Sequence, residues 1–585
     1  MDMLAKLEYR GYDSAGIAVF EGENVRVVKT CGRLSNLSEL LMMSGAPKGM
    51  CGIGHTRWAT HGKPSDINAH PHTGGRVTLV HNGIIENYVR LRQMLEGHGY
   101  TFVSETDSEV AAKLIDFFYH GDPQEALREA LARIRGSYAF GVLFSDRPGE
   151  IYAVRKDSPL IVAQGEGESF IASDIPAVLK YTRTYYLLDE NEVAVLSSDG
   201  VRFYSPEGDA VEKAALTASW DVAAAEKGGY RHFMLKEIYE QPKALRDTLS
   251  PRIAEGKVVF EGLPDGYFKG VSRIHIVACG TAMHAGLVGR YAIENLSGIP
   301  VDVEIASEFR YGNFALQKDE LVVIISQSGE TADTLAALRL AKSRGNRTLA
   351  VVNVVGSSIS READHVIYTW AGPEIAVAST KAYSVQLGVM YLLAVRIACE
   401  AGKLGAEECA AWCGKLLELP GLVEKTFACA EECQRLASLY QNAHSLFYIG
   451  RGLDYAASME GSLKLKEISY VHSESYAAGE LKHGTISLIV EGTPVVAVMT
   501  QSRLLEKTLS NVKEVKARGA QVLAICRESA DAEAADEIIR LPELPDLLMP
   551  SLAVIPLQLF AYYMALLRGC SVDKPRNLAK SVTVE

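Results

Sequence analysis

A run of small polar residues follows an apolar segment near the middle of the chain. Residues 321–325 are apolar throughout, and the six that follow are Ser326, Gln327, Ser328, Gly329, Glu330 and Thr331. Where a strand ends and a helix begins, free backbone N–H groups and the helix dipole favour an anion such as phosphate, and hydroxyl side chains add donors. Ser and Thr at such a position are also ordinary helix N-caps. The run therefore indicates a phosphate site only if other groups support it.

A second set of residues could move protons. Lys464 and Glu467 stand three positions apart, which places both on one face of a helix, and His483 follows later in the chain. Taken alone, Lys464 and Glu467 would be an exposed ion pair. A phosphate site combined with acid and base groups is typical of an enzyme that acts on a phosphorylated sugar.

These two sets of residues lie in two copies of one pattern. Residues 328–345 match residues 502–519 at a shift of 174 positions without a gap, and residues 308–312 match residues 480–484 at a shift of 172. Each copy consists of strand, helix and strand joined by short loops. This order predicts two doubly wound α/β domains with parallel sheets.

The copies differ at positions that bear on chemistry. The second copy has Arg503 in place of Gly329 and His483 in place of Tyr311. Because an arginine replaces the glycine, we expect that a ligand cannot come close to the backbone of the second copy. We expect the second copy to supply acid and base groups instead.

The first third of the chain has a different pattern. Short alternating strands are predicted at 24–30, 76–81 and 137–144, and two helices at 107–119 and 123–134. This mixture predicts an α+β domain with antiparallel sheets. A helix-rich connector follows this domain.

The composition limits the classes of partner. The 585 residues are 48% hydrophobic, and the net charge is −12 without a basic block, which argues against nucleic acid or an anionic membrane as a partner. Residues 547–567 contain no charge, but Pro550, Pro556 and Gln558 favour a buried core helix over a membrane span. We expect small-molecule or protein partners and a cytoplasmic location.

The ten cysteines show no metal-binding pattern. There is no CxxC pair, and Cys409 and Cys413, like Cys429 and Cys433, are four positions apart with no nearby His pair. We expect helix-face thiols in a reducing compartment and no metal site.

Several motifs resemble a known family. Residues 7–16 (LEYRGYDSAG), 55–62 (HTRWATHG) and 81–83 (HNG) are similar to the class II, N-terminal-nucleophile glutamine amidotransferases. The connector and residues 326–331, 480–484 and 575–585 resemble the isomerising glutamine–fructose-6-phosphate aminotransferases, which have two sugar isomerase (SIS) domains. The resemblance covers nearly the whole chain. It implies an α+β N-terminal-nucleophile-type antiparallel sheet sandwich followed by two doubly wound α/β SIS domains.

The resemblance also implies an activity. Members of this family are aminotransferases that convert fructose-6-phosphate to glucosamine-6-phosphate with glutamine as the nitrogen donor, and they use no cofactor. They are homodimers in which His483 would come from the neighbouring subunit.

For the glutamine half, the resemblance assigns roles that suit the chemistry. Arg57 and Asp107 would hold the α-carboxylate and α-ammonium of glutamine, although Asp107 could also be a helix N-cap. Asn82 and the backbone N–H of Gly83 would stabilise the oxyanion, and Trp58 would lie near the ammonia path.

For the sugar half, the resemblance assigns Lys580 to a Schiff base with the ketose, His483 to ring opening and Glu467 to proton transfer between adjacent carbons. The phosphate and the sugar would contact Cys279, Gly280, Thr281, Ser326, Gln327, Ser328, Thr331 and Ser379.

The beginning of the chain departs from the family pattern. The family's nucleophile is an N-terminal cysteine upstream of the motif at 7–16, but Met1, Asp2 and Met3 stand there. Cys51 imitates the family's Met-Cys-Gly-Ile start but is internal, and it is interpreted, like Cys31, as a structural thiol. We therefore expect that the chain as given does not hydrolyse glutamine; a natural start upstream of Met1 that supplies the cysteine would restore this activity.

The predicted organisation is an N-terminally incomplete amidotransferase domain (1–216), a helical connector (217–260), the first SIS domain (261–404), a second connector (405–435), the second SIS domain (436–575) and a catalytic tail (576–585). Alternative functions are an ammonia-dependent synthase, a sugar-phosphate isomerase only, and a non-catalytic SIS sensor. A class II amidotransferase with another acceptor domain is disfavoured because no GxxxxGK[ST] motif is present.

Overall fold

The computed structural model describes residues 1–218 and 226–583. These residues form two compact units. The first contains residues 1–218, 330–332 and 579–583, and the second contains residues 226–329 and 333–578. Residues 219–225 of the predicted connector and residues 584–585 of the predicted tail lie outside the described residues.

The first unit contains the predicted mixture of short strands and helices. Its helices are α1 (Asp2–Leu7), α2 (Leu34–Ser44), α3 (Tyr88–Gly97), α4 (Asp107–Phe118) and α5 (Pro123–Leu131). Its strands are β1 (Ser14–Glu21), β2 (Asn24–Cys31), β3 (Gly52–Arg57), β4 (His72–Gly74), β5 (Val77–Ile85), β6 (Gly136–Phe144), β7 (Ile151–Lys156), β8 (Ile161–Gln164), β9 (Ser169–Ala172), β10 (Thr184–Leu187), β11 (Val193–Ser197), β12 (Gly200–Tyr204), β13 (Ala210–Val211) and β14 (Leu216–Thr217).

The sheets of the first unit are antiparallel, as predicted. A seven-stranded sheet has the order β13-β12-β11-β7-β6-β5-β4, and two smaller sheets have the orders β2-β1-β3 and β14-β10-β8-β9. In the central pair, β5 and β6 run antiparallel from Val77 opposite Phe144 to Ile85 opposite Gly136. Apolar side chains of this sheet pack against α3, α4 and α5, and this core fixes the strand ends that bear the predicted glutamine residues.

The second unit begins with two short helices, α6 (Phe233–Tyr239) and α7 (Gln241–Leu249). Its further helices are α8 (Gly280–Ser297), α9 (Ala306–Phe309), α10 (Ala332–Ser343), α11 (Ser358–Glu362), α12 (Lys381–Glu400), α13 (Ala406–Thr426), α14 (Ala430–Tyr440), α15 (Leu453–Ser469), α16 (Leu505–Lys516) and α17 (Pro550–Leu567). Its strands are β15 (Ile253–Ala254), β16 (Lys257–Val258), β17 (Ile274–Ala278), β18 (Val301–Ile305), β19 (Leu321–Ser326), β20 (Arg347–Val352), β21 (His365–Tyr368), β22 (Ser445–Gly450), β23 (His472–Ala477), β24 (Pro494–Met499), β25 (Gln521–Arg527) and β26 (Glu537–Leu541).

The second unit contains two parallel sheets with one topology. The first repeat, β17 to α12, has the strand order β18-β17-β19-β20-β21, and the second repeat, β22 to α17, has the order β23-β22-β24-β25-β26. A glycine with positive φ follows the first strand of each repeat, Gly280 at 52° and Gly452 at 58°. Equivalent strands occupy equivalent places, which confirms the predicted pair of doubly wound α/β domains.

Two long apolar helices form the centre of the second unit. Lys381–Glu400 and Asp546–Leu567 are, among the described residues, long and apolar enough to cross a membrane, but 89% of the most apolar 18-residue stretch of each is buried inside the protein. The prediction of a buried core helix at 547–567 is confirmed, with Pro550 in its first turn. The sequence indicates only one uncharged stretch of this length, at 547–567. The helix Lys381–Glu400 does not stand out in the same way, because Arg396 and its charged ends interrupt the apolar pattern.

One cysteine prediction is wrong. Cys409 forms a disulfide with Cys399, with their Cα atoms 6.7 Å apart, because the chain reverses between α12 and α13 and places the two residues side by side. Cys413 and Cys433 are buried free thiols, as expected, whereas Cys429 is half-buried.

Candidate active sites

All the residues predicted to bind glutamine, stabilise its oxyanion or adjoin the ammonia path line one cavity of the first unit. Its volume is about 430 Å³, and its lining includes Arg57, Trp58, Asn82, Gly83 and Asp107. The antiparallel sheets bring them together, because Arg57 ends β3, Asn82 and Gly83 lie in β5, and Asp107 begins α4. Residues from three separate elements of the first unit thus line one cavity.

The two charged residues of this cavity are buried. Burial lowers the pKa of Arg57 even though Asp107 and Asp13 lie near it. Nη1 of Arg57 is buried without a hydrogen-bond partner among the described residues, so it can donate a hydrogen bond to the carboxylate of a ligand. Asp107 accepts from Ile85 N at 2.9 Å and is not an N-cap, since Thr106 caps the helix through Glu109 N.

A chain of neutral histidines orients Asn82. Burial lowers the pKa of His55 to about 4 and that of His70 further below its usual range. Oδ1 of Asn82 can only accept, so Nε2 of His55, 2.9 Å away, is its donor, and Nδ1 of His55 then accepts from Nδ1 of His70 at 3.0 Å. Ser108 completes the chain at 2.9 Å from Nε2 of His70. The amide N–H groups of Asn82 therefore remain for an oxyanion.

The sequence motifs assign no role to His55, His70 or Ser108 individually. His55 stands within the motif at 55–62, but only the fold reveals that it contacts Asn82. Gly83 is required at its place, because its φ is 130° and an added Cβ would lie 2.2 Å from the carbonyl oxygen of Ser137.

Cys51 lines the same cavity but is not activated. It is half-buried, and burial raises the pKa of its thiol to about 11. A thiolate is the nucleophilic form of cysteine, so Cys51 is not set up for attack. This supports the interpretation of Cys51 as a structural thiol.

In the first repeat, the predicted phosphate site is the turn after β19. We call residues 326–329 the first phosphate loop. Oγ of Ser326 accepts from the N–H of Gly329 at 3.0 Å, which closes the turn. Gly329 has a φ of 66°, and an added Cβ would lie 2.1 Å from Oγ of Ser357, so only glycine fits. Gln327 and Ser328 are half-buried here, and Thr331 follows just before α10.

The equivalent turn of the second repeat is already filled. We call residues 500–503 the second loop. Asp454 is 1% exposed and accepts from the N–H groups of Thr500 at 2.8 Å and of Gln501 at 3.1 Å. Asp546 accepts from the N–H of Ser502 at 3.0 Å and from its hydroxyl at 2.9 Å. Two carboxylates of the chain itself thus occupy the donors that a phosphate would need. This is a second reason, besides Arg503 in place of Gly329, to expect no phosphate at this loop.

The acid and base groups of the second repeat reach the first repeat. Lys464 is completely buried, so the alternative of an exposed ion pair is wrong. Its Nζ lies 2.5 Å from Oε2 of Glu467 and 3.5 Å from Oε1 of Glu460. It also donates to Oγ1 of Thr281, in α8 of the first repeat, at 3.1 Å. Lys464, Glu467 and Thr281 therefore form one cluster.

Glu460 and His284 belong to this cluster and were not predicted. Glu460 accepts from Thr281 Oγ1 at 3.2 Å, and its other oxygen lies 2.7 Å from Nδ1 of His284. Burial alone would lower the pKa of Lys464, but the carboxylates of Glu467 and Glu460 outweigh it and raise the pKa. The spacing of Glu460, Lys464 and Glu467 on α15 was the signal that could have revealed Glu460.

The remaining predicted sugar residues have separate positions. Cys279 and Gly280 form the start of α8, with Sγ of Cys279 3.5 Å from Oγ1 of Thr334. Ser379 lies just before α12 and donates to Glu374 at 2.7 Å. His483 is exposed at the end of a 3₁₀ turn, Glu480–His483. Lys580 is half-buried in the terminal segment that belongs to the first unit.

Comparisons with known proteins agree with this arrangement. A glutamine amidotransferase domain model matches residues 55–180, and a SIS domain model matches residues 267–396 and 439–568. The chain is thus a glutamine amidotransferase joined to two SIS domains.

Individual relatives define the family further. The chain is 56% identical to a glutamine–fructose-6-phosphate aminotransferase (isomerising) of Clostridium tetani and 54% identical to one of Caldanaerobacter subterraneus, in each case over 100% of this chain and 97% of the relative. A solved C-terminal domain of glucosamine-fructose-6-phosphate aminotransferase from Francisella tularensis is 39% identical, with a TM-score of 0.58, and the match covers 60% of this chain and 99% of that one. The chain belongs to the family of isomerising glutamine–fructose-6-phosphate aminotransferases.

Proposed function

We propose that this chain makes glucosamine-6-phosphate from fructose-6-phosphate, with glutamine as the nitrogen donor. The observation that supports the sugar chemistry best is the buried contact of Lys464 with Glu467 and Thr281, because it joins acid and base groups to the repeat that has the predicted phosphate loop. Ammonia and the ketose give the amino sugar and one water. Glutamine and one water supply the ammonia and leave glutamate.

The sugar step follows from the groups present. The phosphate binds to Ser326, Gln327, Ser328 and Thr331, and His483 assists ring opening. The amine of Lys580 attacks the C2 carbonyl and water leaves, which forms a Schiff base; ammonia then takes the place of the lysine. Glu467 removes a proton from C1 and returns it to C2, so that C1 becomes the aldehyde.

Lys464 has an electrostatic role in this scheme. Its raised pKa keeps the ammonium charged, and it lies in a site that excludes water. A fixed cation beside the carbon atoms that exchange the proton stabilises the negative charge that develops on oxygen.

The glutamine half binds its substrate by complementary charge. Arg57 pairs with the α-carboxylate, Asp107 with the α-ammonium, and Asn82 with Gly83 stabilises the oxyanion; Trp58 adjoins the ammonia path. The raised pKa of Cys51 disfavours the thiolate that a nucleophile needs.

A homodimer is the proposed assembly, with His483 supplied to the neighbouring subunit's site. His483 is exposed, and two apolar residues close to it in sequence are exposed as well, Leu488 at 57% and Val490 at 62%. Mixing an inactive His483→Ala chain with an inactive Glu467→Gln chain should restore part of the activity, because mixed dimers contain one intact site. No recovery would contradict the shared site.

The full chain tests the sugar half directly. Purified protein should interconvert fructose-6-phosphate and glucose-6-phosphate, and Lys580→Ala should slow aminosugar formation from added ammonia. Binding of fructose-6-phosphate without any turnover would instead favour the non-catalytic sensor. Unchanged aminosugar formation in Lys580→Ala would remove the assigned role of that lysine.

A further inference from the structure

The segment between β21 and α12, residues 369–380, is held at several points. Asn353 donates to the carbonyl of Gly372 at 2.8 Å and accepts from the N–H of Ala371 at 2.8 Å. Glu237 accepts from the N–H groups of Ile375 at 2.6 Å and of Ala376 at 3.2 Å. The segment therefore has a defined path up to the start of α12, where Ser379 lies.

Glu374 makes the last of these attachments and is 5% exposed. One oxygen of its carboxylate accepts from the N–H groups of Thr380 at 2.9 Å and of Ala382 at 3.0 Å. The other accepts from the hydroxyl of Ser379 at 2.7 Å. Thr380, the N-cap residue of α12, makes no side-chain cap bond, so a carboxylate from earlier in the segment caps this helix.

This contact determines what Ser379 can recognise. A carboxylate has no proton to give, so the single hydroxyl proton of Ser379 points at Glu374. Towards a ligand, the hydroxyl oxygen of Ser379 can then only accept a hydrogen bond. It accepts from a donor such as a sugar hydroxyl and does not donate to a phosphate or carbonyl oxygen.

We propose that Glu374 is a positioning residue, which fixes the rotamer and the hydrogen-bond direction of Ser379 so that the site accepts a free hydroxyl of the sugar. This inference rests on the proposed function. The charge of Glu374 also contributes, after those of Glu467 and Glu460, to the raised pKa of Lys464.

The test compares Glu374→Gln, Ser379→Ala and the double variant in the full chain, with the isomerisation of fructose-6-phosphate as the readout. The glutamine amide keeps an oxygen for the helix N–H groups but presents N–H groups to Ser379 and reverses its direction. We expect KM to rise about tenfold in each single variant with kcat within about threefold, the size of one lost hydrogen bond. Because Glu374 acts through Ser379, the double variant should lose no more than either single variant.

Glu400→Gln is the matched control, because Glu400 lies at the other end of α12 and accepts from two backbone N–H groups, of Gly266 at 3.1 Å and of Phe268 at 2.9 Å. Its KM should equal that of the wild type. An unchanged KM in Glu374→Gln, or losses that multiply in the double variant, would overturn the inference while the wild type remains active. A wild type that neither binds nor converts fructose-6-phosphate would overturn the proposed function, and this inference with it.

Discussion

Lys464 of the second repeat donates a hydrogen bond to Oγ1 of Thr281 in the first repeat, at 3.1 Å. Thr281 in turn donates to Glu460 of the second repeat at 3.2 Å. The two repeats therefore share one buried polar cluster. Neither repeat forms this cluster alone, since Thr281 comes from the first repeat and Lys464 and Glu460 come from the second.

The first prediction concerns Glu467. Glu467→Gln keeps the shape of the side chain but removes the base, so isomerisation of fructose-6-phosphate should fall by about 10²- to 10⁴-fold while the sugar phosphate still binds. Enzyme assays and calorimetric titration of the same preparation measure both effects. Lys466→Gln, an exposed neighbour on the same helix, is the control and should keep full activity. Activity within threefold of the wild type in Glu467→Gln would contradict the role of the base.

The second prediction concerns the number of sugar-phosphate sites. Asp454 and Asp546 fill the second loop, so titration with fructose-6-phosphate should show one site per chain. Ser328→Ala should weaken binding by about tenfold or more, because a hydrogen bond to a charged phosphate is lost. Ser502→Ala, at the matching position of the second loop, should leave the dissociation constant unchanged. Two sites per chain would refute this account of the second loop.

The third prediction concerns Cys51. A thiol whose pKa is raised to about 11 is almost entirely protonated near neutral pH. Cys51→Ala should therefore leave the release of ammonia from glutamine unchanged, whatever its rate in the wild type. Glutamate formation measured side by side for the two proteins gives the answer, and a loss confined to Cys51→Ala would show that this thiol attacks glutamine after all.

The fourth prediction concerns acid stability. Burial lowers the pKa of His55 to about 4, against about 6.5 in an unfolded chain, so the unfolded chain binds more protons between these values. The stability that the neutral form provides is complete above pH 6.5 and is lost as pH falls toward 4, by about 3 kcal/mol for this residue. His70, His72 and His81 have lowered pKa values for the same main reason and add to the trend.

Thermal unfolding at several pH values between 7.5 and 5 measures this effect. His55→Gln can still donate to Asn82 but cannot titrate, so its melting temperature should depend less on pH than that of the wild type. His98→Gln, at an exposed position, should follow the wild type. Equal pH dependence of all three proteins would show that His55 does not contribute.

Much of the fold could be predicted from the sequence, because the features that specify it are local and repeated. The 174-position shift located the two equivalent loops, at 326–329 and 500–503, and the sheets around them have the same strand order. Helix α4 begins at the predicted Asp107. The predicted strand 76–81 in fact continues to Ile85, because β6 offers a partner along its full length.

The site could be predicted only in part, because contacts between distant segments are not visible in a linear pattern. Glu460 and His284 are 176 positions apart, and no motif connects them. The burial of Lys464 also depends on packing of α15 against other helices, so the sequence alone favoured an exposed pair. Asp454, which fills the second loop, lies 46 positions before Thr500.

The filled second loop has a consequence for how the protein responds to its surroundings. Binding of a ligand to a folded state stabilises that state in proportion to the logarithm of its concentration. The second repeat contains its anions, the carboxylates of Asp454 and Asp546, as part of its sequence, so this contribution to its stability does not depend on a ligand concentration. Under the proposed function the first repeat takes its anion from solution, so its resistance to local opening, and with it to proteases, would rise with the concentration of the sugar phosphate.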